Sequence, residues 1–256
     1  MAEPSSGVAM IRMQGNPGFE IKTPKLQGRR VFLGTPNHIN LLSLEWVISL
    51  IRAQRELGAA GVTLDVSILP GDPMVDRARN RIVADFLKDK ENTHLLFVDD
   101  DIEWHASDLI RMLGHGLPFL AGACPSKKRD AKGLERFVGV VDPSGEGVDG
   151  KPLVKATRVG TGFLLLAREV FEAIESNSPA YDVGTEKEEI QHAYFHSDIL
   201  PDETGRMRWF SEDYVLCEKW KRAGGEIWLD TLCELGHAGR HVWRTHTLHA
   251  EISSGA

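Results

Sequence analysis

The chain is poor in several features that would assign a class directly, and each shortage excludes something. Its three cysteines, Cys124, Cys217 and Cys233, stand far apart and form no Cys-x-x-Cys pair, which speaks against a disulfide framework or a structural zinc site and suits a reducing compartment. No apolar run approaches the length of a membrane span. The opening residues, MAEPSSGVAMIRMQGNPG, lack the basic stretch and the continuous apolar stretch of a secretory leader. Basic residues are outnumbered, 30 Lys and Arg against 37 Asp and Glu for a formal net charge of −7, and no basic block is longer than Lys127–Lys128–Arg129. Such a balance offers no electrostatic footprint for duplex nucleic acid. Internal repeats are lacking too. The expectation is a soluble, cytoplasmic protein with no membrane partner.

What is present is an ordinary globular composition: 256 residues, 42% hydrophobic and 26% charged, enough to bury one sizeable core. After a polar lead, RRVFLG reads as a first strand and residues 41–57 carry apolar positions at helical spacing. VTLDVSIL (62–69) alternates like a strand, 74–89 is again helical, and HLLFV (94–98) is the continuous apolar run of a strand buried on both faces. A helix near 107–113 and a strand at 118–122 follow. Strands and helices alternating in this way predict an α/β domain with a largely parallel sheet. The second half is less regular. FVGVV (137–141) and VGTGFLLLA (159–167) read as strands around a turn-rich segment, then a helix at 168–176, an aperiodic stretch at 177–210, a helix at 211–225 and a last strand at 226–230. A long aperiodic stretch in a compact domain reads as a lid or binding loop. Residues 1–28 are taken as a flexible lead, 29–240 as the domain and 241–256 as a tail.

The stretch that calls for explanation is LLFVDDDIEW, an apolar run that ends in three carboxylates. Were the strand to continue, Asp99 and Asp101 would project together and Asp100 would point away. In an open α/β sheet ligands lie beyond the carboxyl ends of the strands, so two carboxylates there suit a hard divalent cation such as Mg²⁺ or Mn²⁺. Acids after a strand also cap helices and make turns, an alternative of comparable weight on these residues alone.

Four segments in order, RVFLGTPNH, FVDDDIEW, VGTGFLLLAREVFEAI and FSEDYVLCEKWKRAGGEIWLDTLCELGHAG, resemble the GT-A glycosyltransferases, especially bacterial and phage members, over about residues 30–240. The resemblance implies a Rossmann-like nucleotide-binding half with a mixed central sheet, a single domain and a long acceptor-side loop. It further implies transfer of a sugar from a nucleotide-diphosphate donor, with a UDP-sugar favoured, to an acceptor hydroxyl, assisted by Mn²⁺ or Mg²⁺. A phage enzyme would work in the host cytoplasm.

On that reading Asp101 is the first metal ligand and Asp99 contacts ribose or metal. Asp100 is a lesser contact, and His237 of ELGHAG is the remaining ligand, set above His241, His246 and His249 by its motif alone. Thr35 and Pro36 follow the first strand and meet base and ribose. Arg77 and Asn80, three apart on a helix, share a face that meets the nucleotide or supports the acids, with Arg79 pointing elsewhere. A solvated basic turn is the equal alternative. Gly160 and Gly162 let the chain approach the sugar closely. Asp213 is the general base that takes the acceptor proton, with Glu212 as substitute, although acids in a first helical turn also simply complement the dipole. Trp209 is a candidate stacking surface for a sugar or base.

Two other activities compete. A sugar-1-phosphate nucleotidyltransferase would share scaffold and acids but carries a Gly-rich basic loop after its first strand, unlike GTPNHIN. A non-catalytic sugar-nucleotide-binding protein would keep the site and lose turnover. The acceptor is open among a polysaccharide, a protein, a small metabolite and a modified nucleobase.

Overall fold

His94–Val98 is buried at all five residues, and the architecture is laid out on both sides of it. The computed structural model describes residues 26–129, 135–142, 147–148, 150–184, 189–239 and 243–244. Most of the expected lead and tail, with His241, His246 and His249, lies outside the described residues. The first half comprises β1 (Arg30–Asn37), α1 (Leu44–Ala59), β2 (Thr63–Pro70), α2 (Val75–Lys88), β3 (His94–Val98), β4 (Ile102–Glu103), α3 (Ala106–His115) and β5 (Phe119–Gly122). Then come β6 (Pro125–Arg129), β7 (Glu135–Phe137), β8 (Gly139–Val141), β9 (Leu153–Val159), β10 (Phe163–Ala167) and α4 (Arg168–Ile174). The remainder is β11 (Ala180–Asp182), β12 (Ile190–His192), β13 (Asp198–Pro201), β14 (Met207–Phe210), α5 (Glu212–Arg222), β15 (Ile227–Asp230), β16 (Gly236–His237) and β17 (Trp243–Arg244).

Eight strands form one sheet in the order β2-β1-β3-β10-β5-β15-β9-β8. The β1–β2, β1–β3 and β5–β15 pairs are parallel. β10 is antiparallel to both its neighbours, as is β9 to β15 and β8. The sheet is therefore mixed, and the largely parallel arrangement suggested by alternation holds only at its β2-β1-β3 end and at the β5–β15 pair. The reason lies in the connections: β6 to β10 follow one another with no helix among the described residues, and without crossover helices antiparallel placement is open.

Strand alternation divides the side chains of the sheet between two cores. Leu33, Leu96, Val98, Leu120, Phe163 and Leu165 pack with Trp46 and Leu57 of α1 and Leu109 and Met112 of α3. Leu95, Phe97, Phe119, Leu164 and Leu166 face Ile82, Val83 and Phe86 of α2, Phe171 of α4 and Leu216 and Trp220 of α5. With helices on both faces, β3 has no polar side to show, which is why its sequence does not alternate.

The described residues of 177–210 are not a structureless excursion. They hold two antiparallel hairpins, β11–β12 and β13–β14, whose three- and four-residue strands are too short for a period to be legible. No helix among the described residues is long and apolar enough to cross a membrane.

Candidate active site

From β1 the chain moves outward to β2 and then back across to β3 on the other side, so the strand order reverses between β1 and β3. In α/β sheets a crevice opens at such a reversal, beyond the carboxyl ends of the strands. Here it is a cleft of about 280 Å³. Pro36 and His38 line it from the end of β1, Asp72 and Pro73 from the approach to α2, Val75 and Arg79 from α2, and His237 from β16. Asp99, Asp100 and Asp101 all line it as well.

That last fact corrects the expected split of the acids into a pair and an outlier. β3 ends at Val98, and Asp99 O accepts from Ile102 N at 3.1 Å, so the three acids ride a tight turn rather than a continuing strand. A turn abolishes the two-residue alternation and lets all three face one space. Its backbone is fixed at each step. Asp99 N donates to Gly162 O at 3.2 Å, Asp100 O accepts from Ser43 N at 3.0 Å and Asp101 O from Ala238 N at 2.7 Å.

The carboxylates differ in their partners. Asp99 Oδ1 accepts from Arg79 Nη2 at 3.1 Å. Asp101 pairs with Lys127 and lies 3.3 Å from His237 Nε2. Burial pushes the Asp101 pKa up, but the bonds from His237 and Lys127 outweigh it and hold the group below its usual value. Asp100 makes no ion pair among the described residues, and burial followed by the charges of Asp101 and Asp99 raises it to about 6 against the weaker pull of Lys127.

Arg79 joins the two acidic elements of the site. It is buried, and besides Asp99 it bonds Glu212 at the start of α5. Burial raises the Glu212 pKa against the pull of Arg79. The expected division of α2 is thus inverted. Its buried face holds Arg79 with Ile82, Val83 and Phe86, which carries Arg79 over the end of β3. Arg77 instead pairs with Asp72 through a half-exposed guanidinium. Asn80 is buried with both amide atoms on the backbone of Phe195, at 2.7 and 2.9 Å.

Asp213 accepts from Ser211 Oγ and, at 2.8 Å, from Tyr214 N, both on Oδ1. The glycines lie between the two acid groups. A Cβ at Gly160 would stand 3.6 Å from Asp213 Oδ2 and 2.9 Å from Val138, and one at Gly162 would stand 2.8 Å from Cys124 Sγ and 3.7 Å from Asp99 Oδ2. Only glycine admits such close passage. Thr35 and Pro36 belong to β1 itself, paired with Ile68 and Leu69, rather than to a loop after it. Thr35 is fully buried, whereas Pro36 reaches the cleft. Among the described residues Thr35 Oγ1, Asn37 Oδ1 and Arg79 Nε are buried without a hydrogen-bond partner. Trp209 is exposed on β14.

Lys127, Asp72 and His38 are the residues that sequence reasoning passed over. Lys127 carried a weak signal, standing five residues past a strand that ends on the same edge as β3.

No group of three His, Cys, Asp or Glu side chains among the described residues is arranged to hold a metal. The donor chemistry nonetheless fits a divalent cation that completes its shell from phosphate oxygens, as Mg²⁺ and its analogues commonly do. His237 Nδ1 lies 2.7 Å from the carbonyl of Pro125. A carbonyl only accepts, so Nδ1 carries a proton, and that bond holds the ring with Nε2 toward Asp101. An imidazole nitrogen and the three carboxylates of the turn thus border one cleft, the kind of donor set such a cation takes.

No protein-family model matches this chain, and no curated protein matches it. Solved structures resemble it at low identity. The crystal structure of A197 from STIV is 14% identical, with 82% of this chain and 86% of that one covered at a TM-score of 0.47. A glycosyltransferase involved in the glycosylation of the major capsid of PBCV-1 is 8% identical over 56% of this chain and 62% of that one, with a TM-score of 0.34. The 4-diphosphocytidyl-2C-methyl-D-erythritol synthase from Anaerococcus prevotii is 6% identical over 60% and 76%, again with a TM-score of 0.34.

Proposed function

We propose that this protein is a divalent-metal-dependent glycosyltransferase that moves a sugar from a nucleotide-diphosphate donor, a UDP-sugar by preference, to an acceptor hydroxyl. The observation that carries the reading is the meeting of an acidic turn and an oriented histidine in a cleft at the strand-order reversal, with one buried arginine of that cleft joining the turn to a second acidic element at the start of α5. The buried Arg79 Nε, without a partner among the described residues on a side chain that lines the cleft, adds support, since such an atom asks for an explanation and a bound ligand is one.

Asp101 and His237 would hold Mn²⁺ or Mg²⁺, which when bound offsets the charge that develops on the departing diphosphate. Asp99, across the turn, meets the ribose or a water on the cation. Arg79 keeps Asp99 and Glu212 at a fixed separation, so donor side and acceptor side move as one unit. Asp213 takes the acceptor proton as general base: its two observed bonds engage Oδ1, and Oδ2 is turned toward the chain at Gly160. Glu212, already bonded to Arg79, is less able to serve.

Purified protein with Mn²⁺ should bind and slowly hydrolyse at least one of a panel of UDP-, GDP- and dTDP-sugars. Asp101→Ala should abolish metal-dependent donor binding, and Asp213→Asn should keep donor binding while stopping transfer. Full metal-dependent binding in the Asp101→Ala protein would overturn the ligand assignment.

A further inference from the structure

Lys127 has no part in the roles assigned so far, yet its ammonium group occupies the carboxylate expected to receive the metal. It stands on β6, two residues after Pro125, whose carbonyl holds the His237 ring. One short strand therefore presents both the group that orients His237 and the counterion of Asp101. Asp101 Oδ2 is taken by Lys127 and Oδ1 by His237, so both oxygens are engaged before any ligand arrives. The lysine side chain is 42% exposed, and its charge sits on a flexible four-carbon stem that can swing without disturbing the core.

We propose that Lys127 is a placeholder cation that yields Asp101 to the incoming divalent metal and passes to the diphosphate of the donor, so that metal and donor bind as a coupled pair. The inference rests on the cation site proposed above. Free metal must displace an ion pair and leave an ammonium beside a dication, which weakens its binding. When metal and diphosphate arrive together, the displaced ammonium meets phosphate oxygens and the repulsion is offset. Such a coupling is reciprocal: whatever factor the diphosphate adds to metal affinity, the metal adds to diphosphate affinity.

The test is calorimetric titration of Mn²⁺ into the full chain, with and without saturating UDP, for the natural protein, Lys127→Met and Lys127→Arg. In the natural protein UDP should tighten Mn²⁺ by about tenfold. Lys127→Met should bind Mn²⁺ alone about fivefold more tightly, the scale of one partly exposed ion pair removed, while its UDP affinity at saturating Mn²⁺ falls and the coupling shrinks. Lys127→Arg, which keeps the charge, should restore the coupling. Equal Mn²⁺ affinity in the natural and Met proteins, with coupling unchanged, overturns the exchange while leaving the cation site standing. If neither protein binds Mn²⁺ with or without UDP, the cation site falls and the exchange with it.

Discussion

β3 and the β13–β14 hairpin each lead into the chemistry of the cleft, one into Asp99–Asp101 and the other into Ser211–Asp213, but they are held in unlike ways. β3 is paired on both sides, by β1 and β10, and covered by helices on both faces. The hairpin is a two-stranded ribbon with Ile199, Met207 and Trp209 exposed on it. Ribbons of that kind are marginal by themselves. This one is tied down by Arg158, which bonds Glu218 of α5 at 2.8 Å and Glu203 of the hairpin turn at 2.5 Å and lies 4.5 Å over the ring of Phe210. Nearby, Lys219 is buried, its pKa lowered by burial to about 8, and it donates to Ala193 O at 2.6 Å and Tyr194 O at 3.1 Å. On the proposed reading, carboxylates that converge on a cation need a rigid mount, whereas a surface that receives an acceptor can rest on a few polar ties with lower local stability.

That contrast can be tested from its strongest point downward. Phe97→Ala removes a ring buried on β3 that meets Phe195 edge-on at 5.3 Å, and should cost about 3–5 kcal/mol in urea unfolding. A cost near that of a surface change would contradict the rigid mount. Arg79→Met strands Glu212 in a buried setting and frees Asp99, for a loss of about 3 kcal/mol together with weakened donor binding. Arg158→Met should cost about 1–3 kcal/mol. Its sharper signature is hydrogen exchange, faster across residues 198–210 with β3 unchanged; uniform acceleration would mean the two regions are not separately held.

A smaller effect concerns pH. With its pKa raised from 3.8 to about 6, Asp100 holds a proton in the folded state that the unfolded state has lost, so stability falls as pH rises across that window and stays lower above it. Asp100→Asn should therefore melt at a higher temperature than the natural protein at neutral pH in chelator, with the gap closing by about pH 4. A gap of the same size at both pH values would dismiss the ionised carboxylate as its cause. Smallest for stability is Trp209→Ala, expected within about 0.5 kcal/mol because the ring is exposed. If the hairpin receives the acceptor, the same variant should raise the acceptor KM with the donor KM unchanged.

Legibility from sequence followed burial. β3 and the helices α1 to α3 were readable within a few residues because each carries a period, or a two-sided apolar run, long enough to register. β9 was not, since Lys155, Thr157 and Arg158 break up its apolar positions and only its last residue, Val159, falls in the apolar stretch read as one strand. The hairpins of 177–210 were hidden by their brevity. On α2 the charges misled: Arg77 and Asn80 share a face by spacing, but a buried ion pair places Arg79 inward, and no hydrophobic pattern marks an arginine as interior.

By itself the sequence determined that HLLFV would be buried on two faces and would deliver acids to the carboxyl edge of an α/β sheet, because an unbroken apolar run beside amphipathic helices has no other stable place. It also named Asp101, His237 and the acids of α5 as candidates. The tertiary structure decided which of these meet. The turn after Val98 gathers three acids into one cleft, β6 brings Lys127 to Asp101, and Arg79 spans 133 positions of sequence to join Glu212. Contacts of that range are set by how strands are ordered in the sheet, and strand order is a property of the packed whole rather than of any local pattern.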